Sequence, residues 1–143
     1  MSNWTEFLVD DKQLKGIFGD SIVSLMNVSI HEVMMHRNGP AVTLRFDLED
    51  FPIEPPKKWR DNNFNTVQMT LSCVDVSNLS VSGLSTTMNA DLVFERLNDK
   101  IQLHIQTERF NLHLICNFLM IESISAYVDE KEGLLGVFKN VDN

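Results

Sequence analysis

The sequence predicts a mostly β domain of the α+β class: an antiparallel meander of seven or eight strands, curled into a sandwich or an open barrel, with one short N-terminal helix. Three observations carry this. From Val28 onward apolar residues recur with a period of two, the mark of half-buried strands. Turn-forming pairs such as Asn38-Gly39 and Asn98-Asp99 separate the apolar runs at short intervals. Only the first twenty residues carry a helical spacing. The length of 143 residues suits one domain, 1–143, and lets it bury about two thirds of the surface of its unfolded chain.

The helix comes first. Asp10 with Gln13 has capping-box spacing, Leu14, Ile17 and Phe18 form one apolar stripe, and Gly19 supplies the stop. Trp4, Phe7 and Leu8 precede it and are expected to pack beneath it. Asn38-Gly39 predicts a type I′ hairpin turn. Pairing about that turn sets Met35 against Val42 and Val33 against Leu44 on an inward face, and Glu32 against Arg45 on the outward face. Val28 and Ile30 are out of phase with Val33 and Met35, so a β-bulge is expected near His31. Three prolines in residues 49–65 exclude helix and central strand there. Strands resume with Val67, Met69, Leu71 and Cys73, then more loosely with Val76, Leu79 and Val81. Leu92 and Phe94 form another, and Asn98-Asp99 turns the chain into Ile101, Leu103 and Ile105. A last alternation runs from Phe110 through Leu112, Leu114, Cys116, Phe118 and Met120, and continues after a bend through Ile124, Ala126 and Val128.

Composition narrows the function. An apolar fraction of 43% is enough to build a core without a disulfide or a metal. Cys73 and Cys116 lie on inward strand positions; a disulfide between them is possible, and two buried thiols in a reducing cytoplasm is the simpler reading. The N-terminus lacks the basic start and apolar stretch of a signal peptide, and no apolar run is long enough to span a membrane. A net charge of −8 repels nucleic-acid phosphates and favours a basic partner.

Catalytic motifs do not emerge. There is no phosphate-binding loop, dinucleotide fingerprint, nucleophile elbow or paired-cysteine metal motif. With a two-residue turn at Glu108-Arg109, His104 and His113 face each other across a hairpin, and a longer loop shifts them one diagonal apart; either way two imidazoles fall short of a zinc ligand set. No metal, cofactor or catalytic residue is therefore assigned, and the chain is read as a non-enzyme. The Pro-rich stretch stands out instead. Asp47, Glu49, Asp50 and Glu54 surround Phe51 and Ile53, with Trp59 beyond, an apolar centre with an anionic rim. These seven residues form the candidate partner-binding surface. The competing structural reading has Phe51 and Trp59 folded back onto the sheet to pin the loop.

The run from His36 to Gln68 resembles the immunity protein 50 family of bacterial polymorphic toxin systems. The resemblance rests on Arg37, Gly39 and Pro40; on Leu44, Arg45, Asp47 and Leu48; on Phe51, Pro52, Pro55, Pro56, Lys57 and Trp59; and on Asn65 to Gln68. Glu49 stands where the family pattern has proline. The resemblance implies a cytoplasmic protein that binds and blocks a cognate toxin; the charge balance suits a basic one. The alternative class is a small-ligand binder or enzyme using the interior of the curled sheet. A filled apolar interior favours the first; a deep pocket with converging polar groups favours the second.

Overall fold

The computed structural model describes residues 3–130. Nine strands lie in two antiparallel sheets among these residues. They are β1 (Val28–His36), β2 (Ala41–Asp47), β3 (Thr66–Val74), β4 (Asn78–Ser82), β5 (Asn89–Ala90), β6 (Val93–Leu97), β7 (Lys100–Gln106), β8 (Asn111–Cys116) and β9 (Phe118–Tyr127). One sheet has the order β5-β1-β2-β3-β9 and the other β4-β8-β7-β6. Their inner faces share one apolar core, which includes Leu44, Phe46, Met69, Leu71, Leu103, Ile105, Leu112 and Leu114. The expected mostly β, antiparallel class is what forms, and of the two closures expected it is the two-sheet one. The path interleaves: the chain leaves the first sheet for β4, returns for β5, builds β6 to β8 in the second sheet, and comes back with β9.

The first hairpin has the expected register. Met35 lies opposite Val42, Val33 opposite Leu44 and Glu32 opposite Arg45, and the bulge falls between Ile30 and Glu32. Its turn differs from type I′. Four residues join His36 to Ala41, the Gly39-Pro40 peptide is cis, and positive φ occurs at Gly39 but not at Asn38. Proline disfavours helical backbone in the residue before it, so Gly39 takes φ 133 instead of the left-handed helical value that type I′ requires. Met35 is in the inward phase but 71% exposed, and Val33 is only half-buried. The reason is position: β5 flanks β1 only at Val28 and Ser29, so the far end of β1 is a sheet edge.

The long alternation from Phe110 to Met120 is two strands, not one. β8 pairs with β7 and β4, β9 with β3, and Asn117 is the corner between the sheets. The inward phase shifts by one residue there, so Leu119 is buried while Phe118 is 51% exposed and Met120 faces outward. Asn117 is pinned at the corner: its N–H donates to the Val74 carbonyl at 3.1 Å, its carboxamide donates to Asp75, and Lys100 Nζ donates to its Oδ1 at 3.0 Å. Cys73 and Cys116 meet across the sheets as free, buried thiols. The hydrogen bond with Cys116 and then burial push the Cys73 thiol well above its ordinary range. One glycine is dictated by space as well as backbone: Gly83 has φ 83, and a Cβ there would lie 1.8 Å from the Arg109 carbonyl oxygen.

Helical pieces close the ends. Helix α1 spans Lys12–Phe18, buries Leu14 and Phe18, and stops at Gly19 with φ 62. Its N-cap is Asp11 with no side-chain cap, so the Asp10–Gln13 capping box does not form; Asp10 accepts from the Lys12 N–H instead. A capping box is found one element earlier, where Asn3 and Glu6 cap a 3-10 turn, Trp4–Phe7. Trp4 and Phe7 are buried there, and Trp4 Nε1 donates to the Val23 carbonyl at 2.8 Å. The Pro-rich stretch contains a second helix, α2 (Lys57–Asp61), where none was expected. Pro55 and Pro56 precede its first turn, where a missing N–H costs no helical hydrogen bond, and the Pro56 carbonyl accepts from Trp59 and Arg60.

Candidate functional site

The outer face of the five-stranded sheet collects polar side chains from four strands. Alternation along β2 sends Val42, Leu44 and Phe46 into the core and Thr43, Arg45 and Asp47 to this face. Gln68 of β3 lies beside Asp47 in register, and Tyr127 at the end of β9 pairs with Thr66 nearby. The bulge in β1 turns His31 toward the same point. His31 Nε2 lies 2.9 Å from Asp47 Oδ2, Gln68 Nε2 donates to Asp47 Oδ1 at 3.0 Å, and the Tyr127 hydroxyl donates to Asp47 Oδ2. Arg45 extends the network: its Nε donates to Glu32 at 3.0 Å and its Nη1 to Gln68 Oε1 at 3.2 Å.

Asp47 is the hub, and it is only 6% exposed. Burial alone would raise its pKa, but the hydrogen bonds from Tyr127, His31 and Gln68 outweigh burial and hold it below its ordinary value. The Tyr127 hydroxyl is pushed the other way, well above its usual range, first by burial and then by its bond to the Asp47 carboxylate.

Farther along the same face lies an open depression of about 610 Å³, with Met34, Arg37, Thr43, Thr70, Ser72 and Glu122 in its lining. Thr43 Oγ1 and His36 Nε2 are 3.2 Å apart across its wall. At the opposite end, beside the Pro-rich loop, an open cleft of about 450 Å³ is lined by Asp47, Glu49 and Asp129 together with carboxamides and hydroxyls.

The seven residues of the expected partner surface separate into two groups. Glu49, Asp50 and Glu54 are exposed and Ile53 is 89% exposed. Glu49 accepts a 2.6 Å hydrogen bond from Asn27, which fixes the start of the loop. Trp59 is buried, and half-buried Phe51 packs against it with ring centroids 6.1 Å apart. Asp47 is the buried hub described above. Sequence reasoning did not find His31, Gln68 and Tyr127 as partners of Asp47. The bulge was a usable signal for His31; the pairing of β9 with β3 left none for Tyr127.

Among the described residues no imidazole links a hydroxyl to a carboxylate in the manner of a catalytic triad: His36 meets Thr43 without an acid behind it, and His31 shares Asp47 with the phenol of Tyr127. His104 and His113 do face each other, ring centroids 5.0 Å apart, and His113 Nε2 lies 2.8 Å from Gln102 Oε1. No cluster of three or more His, Cys, Asp or Glu side chains suited to a metal occurs among the described residues. No helix there is long and apolar enough to cross a membrane.

A two-sheet antiparallel β domain with an apolar interior and a hydrogen-bonded polar outer face is the class that these features define. The chain belongs to the Immunity protein 50 family, whose model matches residues 10–127. It is also similar to a solved structure described as an uncharacterized protein from Neisseria gonorrhoeae, with a TM-score of 0.43 and 16% identity, covering 68% of this chain and 92% of that one. No curated protein matches the chain at a significant level.

Proposed function

We propose that this protein neutralises a cognate bacterial toxin in the cytoplasm by direct contact and without catalysis, and that the toxin lands at the loop end of the outer face. Membership of the Immunity protein 50 family is the observation that carries the reading. The filled apolar interior supports it, because a ligand-binding or catalytic use of the sheet interior would need space and polar groups there. The charge distribution supports a basic partner. Glu49, Asp50 and Glu54 project from the loop, Ile53 offers an exposed apolar contact between them, and the chain as a whole carries −8. On this reading Phe51 and Trp59 brace the loop from behind, and Asp47 fixes the end of β2 from which it springs. A braced loop loses little conformational freedom on docking.

The test uses, in inactivated form, the toxin domain of any polymorphic toxin gene that neighbours this one. Wild-type protein should bind it directly, faster at low salt, since steering is screened over roughly 10 Å at 0.1 M. Reversing Glu49, Asp50 and Glu54 to Lys should slow association and flatten its salt dependence while the fold persists. An unchanged on-rate and salt slope would remove this surface from the interface.

A further inference from the structure

One stretch of sheet edge is apolar and has no strand beside it. β5 covers β1 only at Val28 and Ser29, so residues 32–36 have β2 on one side and no described strand on the other. Open edges in soluble proteins are usually protected by charge, proline or a bulge. Here the bulge falls before Glu32, and residues 32–36 pair with β2 without interruption. Met34 is 38% exposed, Met35 is 71% exposed and Val33 is half-buried. The backbone groups of this edge are also turned outward in a defined phase. Ile30, an inward residue, points its N–H away from β2 and donates to the Met88 carbonyl at 2.9 Å. Along a strand the side-chain face and the direction of the peptide groups alternate together, so residues on one face turn their N–H and C=O the same way. Val33 and Met35, the inward residues beyond the bulge, therefore present theirs to the open side. Beside this edge lies an open groove of about 460 Å³, lined by Met35 and Val42 of one sheet and Leu79 of the other.

We propose that this edge joins a second copy of the chain, the two β1 strands running antiparallel about a two-fold axis at Met34. The residues themselves select this occupant. Opposite residues in an antiparallel pair point to the same face, so the axis must pass through a residue and not between two. At Met34 it sets Val33 of each copy against Met35 of the other on the inward face. On the outer face it sets Glu32 of each copy against His36 of the other, a carboxylate beside an imidazole that can donate to it. Val33 and Met35 are the residues whose peptide groups face the open side, so each such pair exchanges two N–H···O=C bonds and the ladder closes. An axis at Val33 would run into the bulge and one at Met35 into the turn; only Met34 keeps the regular stretch paired along its whole length. Two other edges are less suited. Self-pairing about the middle of β6 opposes Glu95 to its own copy, and the start of β9 is already bridged by Leu8. The contact uses few residues beside the roughly 20–30 a side of a standard interface, so the dimer should be weak, with a Kd of roughly 10–100 μM. β2 begins at this end and reaches the Pro-rich loop at its other end, so the dimer leaves the loop surface free. The inference does not rest on the immunity reading.

The experiment is sedimentation equilibrium of the full chain from about 5 to about 500 μM, with Met34→Lys and Met34→Cys beside the wild type. The wild type should pass from monomer to dimer across this range. Met34→Lys opposes two ammonium groups at the axis and should raise Kd by about tenfold or more. Its side chain lies on the outer face and is partly exposed, so its melting temperature at low concentration should match the wild type. At the axis the two Met34 residues form a non-hydrogen-bonded pair with Cα atoms about 4.5 Å apart, within disulfide reach. Met34→Cys should therefore cross-link into a covalent dimer with oxidised glutathione, while Val81→Cys on the exposed edge of β4 should not; the native Cys73 and Cys116 are buried. If Met34→Lys fails to fold, Met34→Cys decides alone. A wild type that stays monomeric throughout would overturn the inference. So would dimerisation undiminished in Met34→Lys, no cross-link through Met34→Cys, or equal cross-linking through Val81→Cys. A monomeric wild type whose binding to the inactivated toxin domain is weakened by Met34→Lys would give this edge to the toxin, and would overturn the inference while leaving the proposed function standing.

Discussion

Two halves of one sheet face are built from the same strands and end in opposite states. Near the loop, six side chains from four strands satisfy one another around Asp47. Near the first hairpin, Ser72 is as buried as Asp47 and has no partner, and Thr43 has a single contact at 3.2 Å. The difference follows from side-chain length. Neighbouring strands are about 4.8 Å apart. Arginine, glutamine, histidine and tyrosine reach across that spacing and lie over the sheet. Serine and threonine end one or two atoms from the backbone and reach only a directly opposite neighbour; Ser72 and Thr43 are such neighbours and do not bond each other here. Long polar side chains therefore close the surface into a network, while short ones sink between taller neighbours and leave a depression. Polar positions that look equivalent in an alternating pattern become a rigid floor at one end and an open socket at the other.

The largest effect should come from the hub. Asp47→Ala strips the acceptor from His31, Gln68 and Tyr127 and should cost about 2–3 kcal/mol, measured by urea denaturation. Ser72→Ala should cost nothing. If the two substitutions shift stability equally, the contrast between the halves fails.

Titration should sharpen the same contrast. Asp47 has a lowered pKa in the folded state, so its contribution is present above the unfolded value of 3.8 and is lost as pH falls through the folded one. Tyr127 has a raised pKa, so its contribution is complete below the unfolded value of 10.0 and is lost as pH climbs beyond it. Tyr127→Phe should reduce the alkaline limb, leaving the part that the raised Cys73 thiol contributes, and reduce the acid one, because Asp47 loses a bond that favours its charged form. Denaturation midpoints measured from pH 3 to 11 would contradict this if the wild type and Tyr127→Phe ran parallel above about pH 10.

Legibility in the sequence follows the same division between local and distant pairing. The register of the first hairpin, the bulge at His31, the Glu32–Arg45 pair and the facing of His104 and His113 were all readable, because each depends on alternation across one short turn. The partners of Asp47 were not, since Tyr127 is 80 residues away and reaches it only through the pairing of β9 with β3. The corner at Asn117 was hidden for a related reason. Cys116 and Phe118 are both apolar, so the pattern runs on smoothly while the backbone changes sheets and the phase slips by one residue. The helix after Pro56 is hidden because three prolines in one segment argue against helix as a whole, whereas proline forbids helix only beyond the first turn. Of the expected partner residues, Glu49, Asp50, Ile53 and Glu54 project to solvent, while Phe51 and Trp59 pack together, as the competing reading of the loop had it.

The smallest effect should come from the rim of the closed half. Arg45 and Glu32 form an ion pair at 3.0 Å with side chains 37% and 43% exposed, so solvent screens it. A double-mutant cycle should return a coupling under about 1 kcal/mol. The single substitutions should not be symmetrical. Arg45→Ala also removes the donor to Gln68 Oε1, whereas Glu32→Ala leaves that bond in place, so the arginine substitution should cost more. Coupling well above 1 kcal/mol would mean that the closed half shields its polar groups out to the edge of β1. The two halves would then differ in depth of burial as well as in side-chain length, and length alone would no longer account for the socket at Ser72.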